Sequence, residues 1–186
     1  MGKAWGGLNT WPLGTLLTDA LKSDLDSNVD LKAYGFSFGG ELLFLDPEGL
    51  QIGIGIASLP MMIINSKETN DNASLNLIPL TADLVLNSKN VYTNFGLGIG
   101  FMKLNSKITS NSELDMFFSD IGTVFLVKAG TGFNIPVWQN LAIDFGAALY
   151  IPFSSQFNEI NVEMSPFLIS LLFSQINLRL GVSYYF

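Results

Sequence analysis

The chain has 186 residues, 48 % of them hydrophobic and only 13 % charged, about half the charged share of an ordinary soluble domain, and its net charge is −7. That length suits one domain, residues 1–186, and the acidic balance argues against a nucleic-acid binder or a basic membrane-surface binder. Mean hydropathy is positive, yet no stretch approaches the ~18 uninterrupted apolar residues of a membrane helix. Two classes remain: a soluble β protein with a large core, or a closed barrel that pairs its backbone groups within lipid.

Residues 1–12 carry Trp5 and Trp11 but also Gly6, Gly7 and Pro12; they predict a weak first strand near Ala4–Trp11. From Leu13 to Ser27 the period changes. Leu13, Leu16, Leu17, Ala20, Leu21 and Leu25 fall at helical spacing, with Thr18, Asp19, Lys22 and Asp26 off the stripe. A short amphipathic helix is expected over 13–27, in the first long loop or in the barrel mouth.

Strands follow. Tyr34, Phe36, Phe38, Leu42 and Phe44 alternate with Gly35, Ser37, Gly39 and Glu41, the period of two that marks a sheet with unlike faces. Asp46-Pro47-Glu48-Gly49 reads as a tight turn. Leu50, Ile52, Ile54 and Ile56 alternate with Gln51, Gly53, Gly55 and Ala57, and Ser66–Ser74 reads as a polar loop. Leu80–Leu86 forms the next strand, with Thr81, Asp83 and Val85 on its second face, and Asn87–Asn90 the next turn. Val91, Thr93, Phe95, Leu97, Ile99 and Phe101 alternate with Tyr92, Asn94 and three glycines, before a second polar loop over Asn105–Asp120. Phe125–Ile135 carries Lys128 and Asn134 on its polar face; Leu141–Ile151 carries Asp144 and Tyr150; Val137–Asn140 joins them. Pro152–Ser174 is a long segment with an apolar stretch at Phe167–Phe173, whose structure the sequence leaves open.

The last strand, Gln175–Phe186, alternates without a break. Ile176, Leu178, Leu180, Val182, Tyr184 and Phe186 share one face, and Asn177, Arg179, Gly181 and Ser183 the other. Its length matches the ~9–11 residues of a tilted membrane-crossing strand. With its aromatic end it resembles the terminal strand of bacterial outer-membrane β-barrel proteins, on Arg179, Gly181, Tyr184 and Phe186. By pattern the resemblance extends over most of residues 34–186, to small barrels of the OmpX, OmpW and OmpA-transmembrane-domain kind. It implies an all-β, closed, antiparallel up-and-down barrel in the bacterial outer membrane. Lipid and lipopolysaccharide would then be its surroundings, and the barrel assembly machinery would read the terminal strand. The start Met1-Gly2-Lys3-Ala4-Trp5 lacks the features of a signal peptide, so a mature or recombinant form with an added Met is expected.

Three tight turns alternate with long segments, so eight strands place both termini on the short-turn side. A second count of eight begins at Val29 and makes Asn161–Leu172 a strand; it puts the carboxyl terminus on the long-loop side. Side-chain size decides which face is outside. A small soluble barrel of lipocalin type fills its interior with bulky apolar groups and would leave a glycine-rich, nearly uncharged exterior here. The inverse arrangement turns the bulky face to lipid, with Tyr34, Phe44, Phe101, Tyr184 and Phe186 suited to the interfaces.

The polar face then lines the lumen. Glu41, Asp83, Asn94, Lys128, Asn134, Asp144, Tyr150, Asn177 and Arg179 are the candidate lining residues. Buried charges must pair or be hydrated. Turn parity sets Asp83 opposite Asn94, Asn134 opposite Asp144, and Lys128 opposite Tyr150, with an Asp144–Arg179 contact between neighbouring strands. Many glycines share the lumenal parity; they relieve curvature first, or leave space for water, a ligand or the 13–27 helix. The chain has no histidine and no cysteine, which removes His-assisted catalysis, His-ligated metals and thiolate sites. No enzyme activity, cofactor or metal is expected; loop carboxylates such as Glu68, Asp71, Glu113, Asp115, Glu159 and Glu163 read as a solvated acidic surface. Two functions stand. One is a narrow passage or pocket for a small apolar molecule, on the glycine-lined lumen and the apolar loop roots Met61–Ile64 and Phe167–Phe173. The other is a non-transporting structural or surface-interaction barrel with a closed, salt-bridged lumen.

Overall fold

The computed structural model describes residues 1–10, 30–44, 49–65, 72–107, 122–155 and 165–186. Eight strands make one closed antiparallel barrel in sequence order: β1 (Gly2–Thr10), β2 (Asp30–Phe44), β3 (Leu50–Asn65), β4 (Asn72–Ser88), β5 (Val91–Lys107), β6 (Gly122–Trp138), β7 (Leu141–Phe153) and β8 (Gln175–Tyr184). The seam is the pairing of β1 with β8, from Gly2 opposite Tyr184 to Thr10 opposite Ile176. The weak amino-terminal segment is thus a strand, and the count that began at Val29 fails. Its proposed last loop strand is in part a helix, α1 (Pro166–Leu172), capped by Ser165, whose Oγ accepts from the Leu168 amide at 3.3 Å. Proline in the first turn suits a position where no intrahelical N–H bond is needed. The helix expected over 13–27 lies outside the described residues.

Several strands are longer than the alternation suggests. β3 runs on to Asn65, Asn72–Ser74 belong to β4, and Asn105–Lys107 belong to β5 rather than to loops. The polar residues there break the alternation that marks a strand in the sequence, while the backbone ladder runs on. β6 continues to Trp138 through a register shift after Pro136, leaving Gln139–Asn140 as the turn. The β4–β5 turn is likewise two residues, Lys89–Asn90, with Lys89 at φ 55°. Its tightness corrects the register: Asp83 faces Gly96, and Asn94 faces Val85. Asn134 faces Asp144 and Lys128 faces Tyr150.

The outward face is largely apolar: Phe36, Ile54, Leu97, Phe125 and Leu180 are exposed, and Phe145 is half-buried on the same face. Following partners from Leu50 through Leu86, Thr93, Thr131, Ala147, Leu178, Leu8 and Phe36 returns to β3 near Pro60, a stagger of about ten residues, as closure with tilted strands demands.

The interior is filled. Glycines on the inner face stand where long side chains from neighbouring strands cross. A Cβ at Gly132 would lie 2.4 Å from the Tyr92 hydroxyl and 2.3 Å from the Phe145 carbonyl oxygen; one at Gly100 would lie 2.6 Å from Leu126 Cδ1. At the short-turn end Met1, Leu43, Val85 and Tyr92 cluster, with Tyr185 against them. At the long-loop end of β3–β6 the inner face is apolar, with Leu59, Met61, Leu75, Leu77, Met102, Val124 and Leu126 all buried. Gly132→Val should therefore act as an overpacking change and cost about 1–3 kcal/mol. The outward Leu97→Ala should cost less than half of that, both read from urea unfolding midpoints in lipid vesicles.

Candidate functional site: a closed ionic lumen

Closure brings together charges that are far apart in sequence. Lys3 Nζ donates to Asp144 Oδ2 at 2.8 Å. Asp144 Oδ1 lies 3.6 Å from Arg179 Nε. Arg179 Nη1 donates to Glu41 Oε1 at 2.7 Å, and the same oxygen accepts from Lys128 Nζ at 2.7 Å. Lys128 Nζ also donates to Asp83 Oδ2 at 2.8 Å. The result is one alternating chain, Lys3–Asp144–Arg179–Glu41–Lys128–Asp83, three cations and three anions among the described residues, with every side chain at most 2 % exposed. Buried charges are tolerable only where such pairing and hydrogen bonding replace water.

Six strands supply the charges: β1, β7, β8, β2, β6 and β4. The remaining two supply support. Tyr92 of β5 accepts from Arg179 Nη2 at 2.8 Å and donates to Asp144 Oδ1 at 3.2 Å, and Lys3 Nζ sits 3.6 Å from its ring centroid. From β3 comes an absence of bulk: a Cβ at Gly55 would meet Asp83 Oδ2 at 2.9 Å and Thr81 Oγ1 at 3.1 Å. Thr81 Oγ1 donates to Asp83 Oδ2 at 3.2 Å. Asp83 Oδ1, by contrast, has no protein partner among the described residues. Trp5 lies 5.7 Å from the Arg179 guanidinium.

All nine lining residues read from the sequence are buried within the barrel: Glu41, Asp83, Asn94, Lys128, Asn134, Asp144, Tyr150, Asn177 and Arg179. Five of them, Glu41, Asp83, Lys128, Asp144 and Arg179, belong to the ionic chain. Asn134 accepts from Ser183 Oγ at 3.1 Å, and Asn177 donates to Ser37. Tyr150 stands 5.9 Å from Lys128 Nζ by its ring centroid. Asn94 stands outside it: both amide atoms lack a hydrogen-bond partner among the described residues, and the tight turn described above sets Asp83 opposite Gly96 rather than Asn94. Sequence reasoning missed Lys3 and Tyr92. Lys3 sits in a strand too short and glycine-rich to show its phase; Tyr92 had the right parity but no charge to single it out.

Of the terminal-strand residues, Arg179 is spent inside the chain of charges. Gly181 lies under Trp5, where a Cβ would fall 2.6 Å from Trp5 Cβ. Tyr184 and Phe186 point outward, their ring centroids 6.3 Å apart. The loop carboxylates and the loop ends beyond Met61 lie outside the residues with described side chains.

The gap bounded by Trp5, Glu41, Gly55, Thr81, Lys128 and Tyr150 is too small to admit a water molecule. A groove of about 560 Å³ does exist, but it lies on the outward face, among Leu8, Thr131, Phe133, Phe145, Ala147, Leu178 and Leu180. Its lining also includes the inner-face Gly7, Gly132 and Gly146 and Arg179.

This is the fold of a small eight-stranded antiparallel barrel with apolar exterior and ionic interior. Solved structures share it, among them two small outer-membrane barrels. Neisserial surface protein A superposes with a TM-score of 0.52 at 12 % identity, covering 100 % of this chain and 96 % of the other. Ail, the attachment invasion locus protein of Yersinia pestis, in complex with the heparin analogue sucrose octasulfate, gives a TM-score of 0.53 at 12 % identity with the same coverage. No family model matches the chain, and no curated protein does.

The chain of charges predicts an asymmetric response to truncation. Arg179→Ala leaves two buried carboxylates each short of a cation and should cost about 3–5 kcal/mol. Asp83→Ala removes an end of the chain, and Lys128 keeps Glu41, so its cost should be less than half as large. Equilibrium unfolding of both variants in lipid vesicles measures the difference.

Proposed function

We propose that this chain is an integral outer-membrane β-barrel with a sealed lumen, which holds its long loops at the cell surface rather than conducting a solute. The observation that carries this reading is the neutral, interlocked ionic chain that fills the described interior. A passage for a small apolar molecule would need an open path, and the described lumen has charges and side chains where that path would run. The apolar exterior supports placement in lipid, because only closed barrels and helices satisfy backbone groups there, and bulky apolar residues cover the outward face. The two structural neighbours support the outer membrane as the bilayer and a surface role.

Polyanion binding is not carried over from the second neighbour. This chain has a net charge of −7, and among residues with described side chains the exposed cations are Lys89 and Lys103. Catalysis finds no support either: each buried carboxylate is held by a cation, so none stands free as a general base. We read Tyr184 and Phe186, outward and next to the β1–β8 seam, as the contact for the assembly machinery, with lipopolysaccharide as part of the lipid surroundings.

Planar-bilayer recording tests the sealed lumen. The wild-type barrel should show no discrete ion conductance, and the double variant Glu41→Ala/Arg179→Ala, which empties the middle of the chain, should show steps. Steady conductance by the wild type would overturn the reading. For the terminal strand, Phe186→Ala should lower the folded yield several-fold in proteoliposomes containing the assembly machinery. Unassisted folding into thin-bilayer vesicles should change little, both read by heat-modifiable gel migration.

A further inference from the structure

The polarity of the wall changes sign along β4, β5 and β6. Nearer the short turns the outward residues are apolar: Ile78, Leu80 and Leu84 on β4, Phe95, Leu97, Ile99 and Phe101 on β5, and Phe125 and Phe133 on β6 are all exposed. Two residues farther toward the long-loop end, the outward positions become Asn76, Lys103 and Thr123. Asn76 is the ladder partner of Lys103, as Ile78 is of Phe101. The inner face changes in the opposite sense at the same level. Asp83, Asn94 and Lys128 give way to Leu75, Leu77, Met102, Val124 and Leu126, all 0–2 % exposed.

Thr123 faces Phe101 across the ladder, which follows from strand tilt. With the stagger found above, a row of partners climbs toward the long-loop end on passing from β4 to β6, so Thr123 stands higher than Phe101. A level plane therefore separates Ile78, Phe101 and Phe125 from Asn76, Lys103 and Thr123.

A sheet that keeps apolar residues outward does so only where the outside is apolar, and a sheet with an apolar inner and polar outer face is built for water. We propose that the headgroup layer of the bilayer on the long-loop side meets the barrel at this plane, between Ile78 and Asn76, Phe101 and Lys103, and Phe125 and Thr123. The ends of β4, β5 and β6 beyond it are water-side sheet with their own apolar core. The ionic lumen lies on the short-turn side of that boundary; at and beyond it the interior of β4–β6 is apolar. The inference rests on the membrane reading above and adds the depth of insertion.

The absence of cysteine makes the test direct. Single-cysteine variants Ile78→Cys, Phe101→Cys, Phe125→Cys, Asn76→Cys, Lys103→Cys and Thr123→Cys carry a nitroxide in phosphatidylcholine vesicles. Collision with oxygen is compared with collision with a water-soluble nickel complex. The first three should favour oxygen and the last three nickel, each pair reversing across two residues. Oxygen preference at positions 76, 103 and 123, or nickel preference at 78, 101 and 125, would overturn the boundary. Leu97→Cys separates this from failure of the membrane reading: a label there that favours nickel refutes membrane insertion itself. A tryptophan read by quenching from brominated lipid replaces the label wherever the label blocks folding.

Discussion

Six charges enclosed by a ring of eight strands must be neutralised by one another, because an apolar medium outside offers them nothing. That constraint explains the order of the interior. Lys3, Asp144, Arg179, Glu41, Lys128 and Asp83 alternate in sign along one path, so each inner member of the path touches two neighbours of opposite charge. Glu41 is the pivot: its Oε1 serves both Arg179 and Lys128. A pairing of this kind does not by itself stabilise more than a well-packed apolar core would. It does fix which strands are neighbours, since a shift of any register by one residue turns a charge outward. The network therefore specifies the closure as much as it fills it.

Glycine makes this arrangement fit. An eight-stranded barrel has an interior just wide enough to be filled by side chains, and two Lys and one Arg are long. Asp83 lies across Gly55 and Gly96, Tyr92 across Gly132 and Gly146, and Arg179 across Gly146, where a Cβ would come within 2.1–2.9 Å of their atoms. The glycines that suggested empty space are the places where neighbours' side chains already lie. Sealing at the ends is of another kind: apolar packing around Met1, Leu43, Val85 and Tyr92 at the short-turn end, and around Leu59, Leu77 and Leu126 toward the long loops.

Much of this was legible in the letters. Alternation across β2 to β8 gave the strand phases, and phase alone put Glu41, Asp83, Lys128, Asp144 and Arg179 on the inner face. The turn at Lys89–Asn90 was read two residues too loosely, and Asp83 was paired with Asn94 instead of lying opposite Gly96. Turn length is a matter of backbone conformation, here Lys89 at φ 55°, which a side-chain pattern does not carry. Lys3 was hidden because β1 alternates glycine with mixed residues, so its phase emerges only when it pairs with β2 and β8. The long-loop ends of β4 and β5, Asn72–Ser74 and Asn105–Lys107, read as loop because their polar residues break the alternation that marks a strand, although the ladder continues through them.

The central claim is that the bulky face of this barrel needs hydrocarbon while the charges inside need only each other. The most direct measurement is transfer of the urea-unfolded chain into phosphatidylcholine vesicles, followed by flotation after an alkaline wash and by gel migration with and without boiling. The account predicts that the chain floats with the vesicles and migrates differently before and after heating. A chain that instead remains monodisperse and folded in detergent-free buffer, and leaves the vesicles unoccupied, would contradict it.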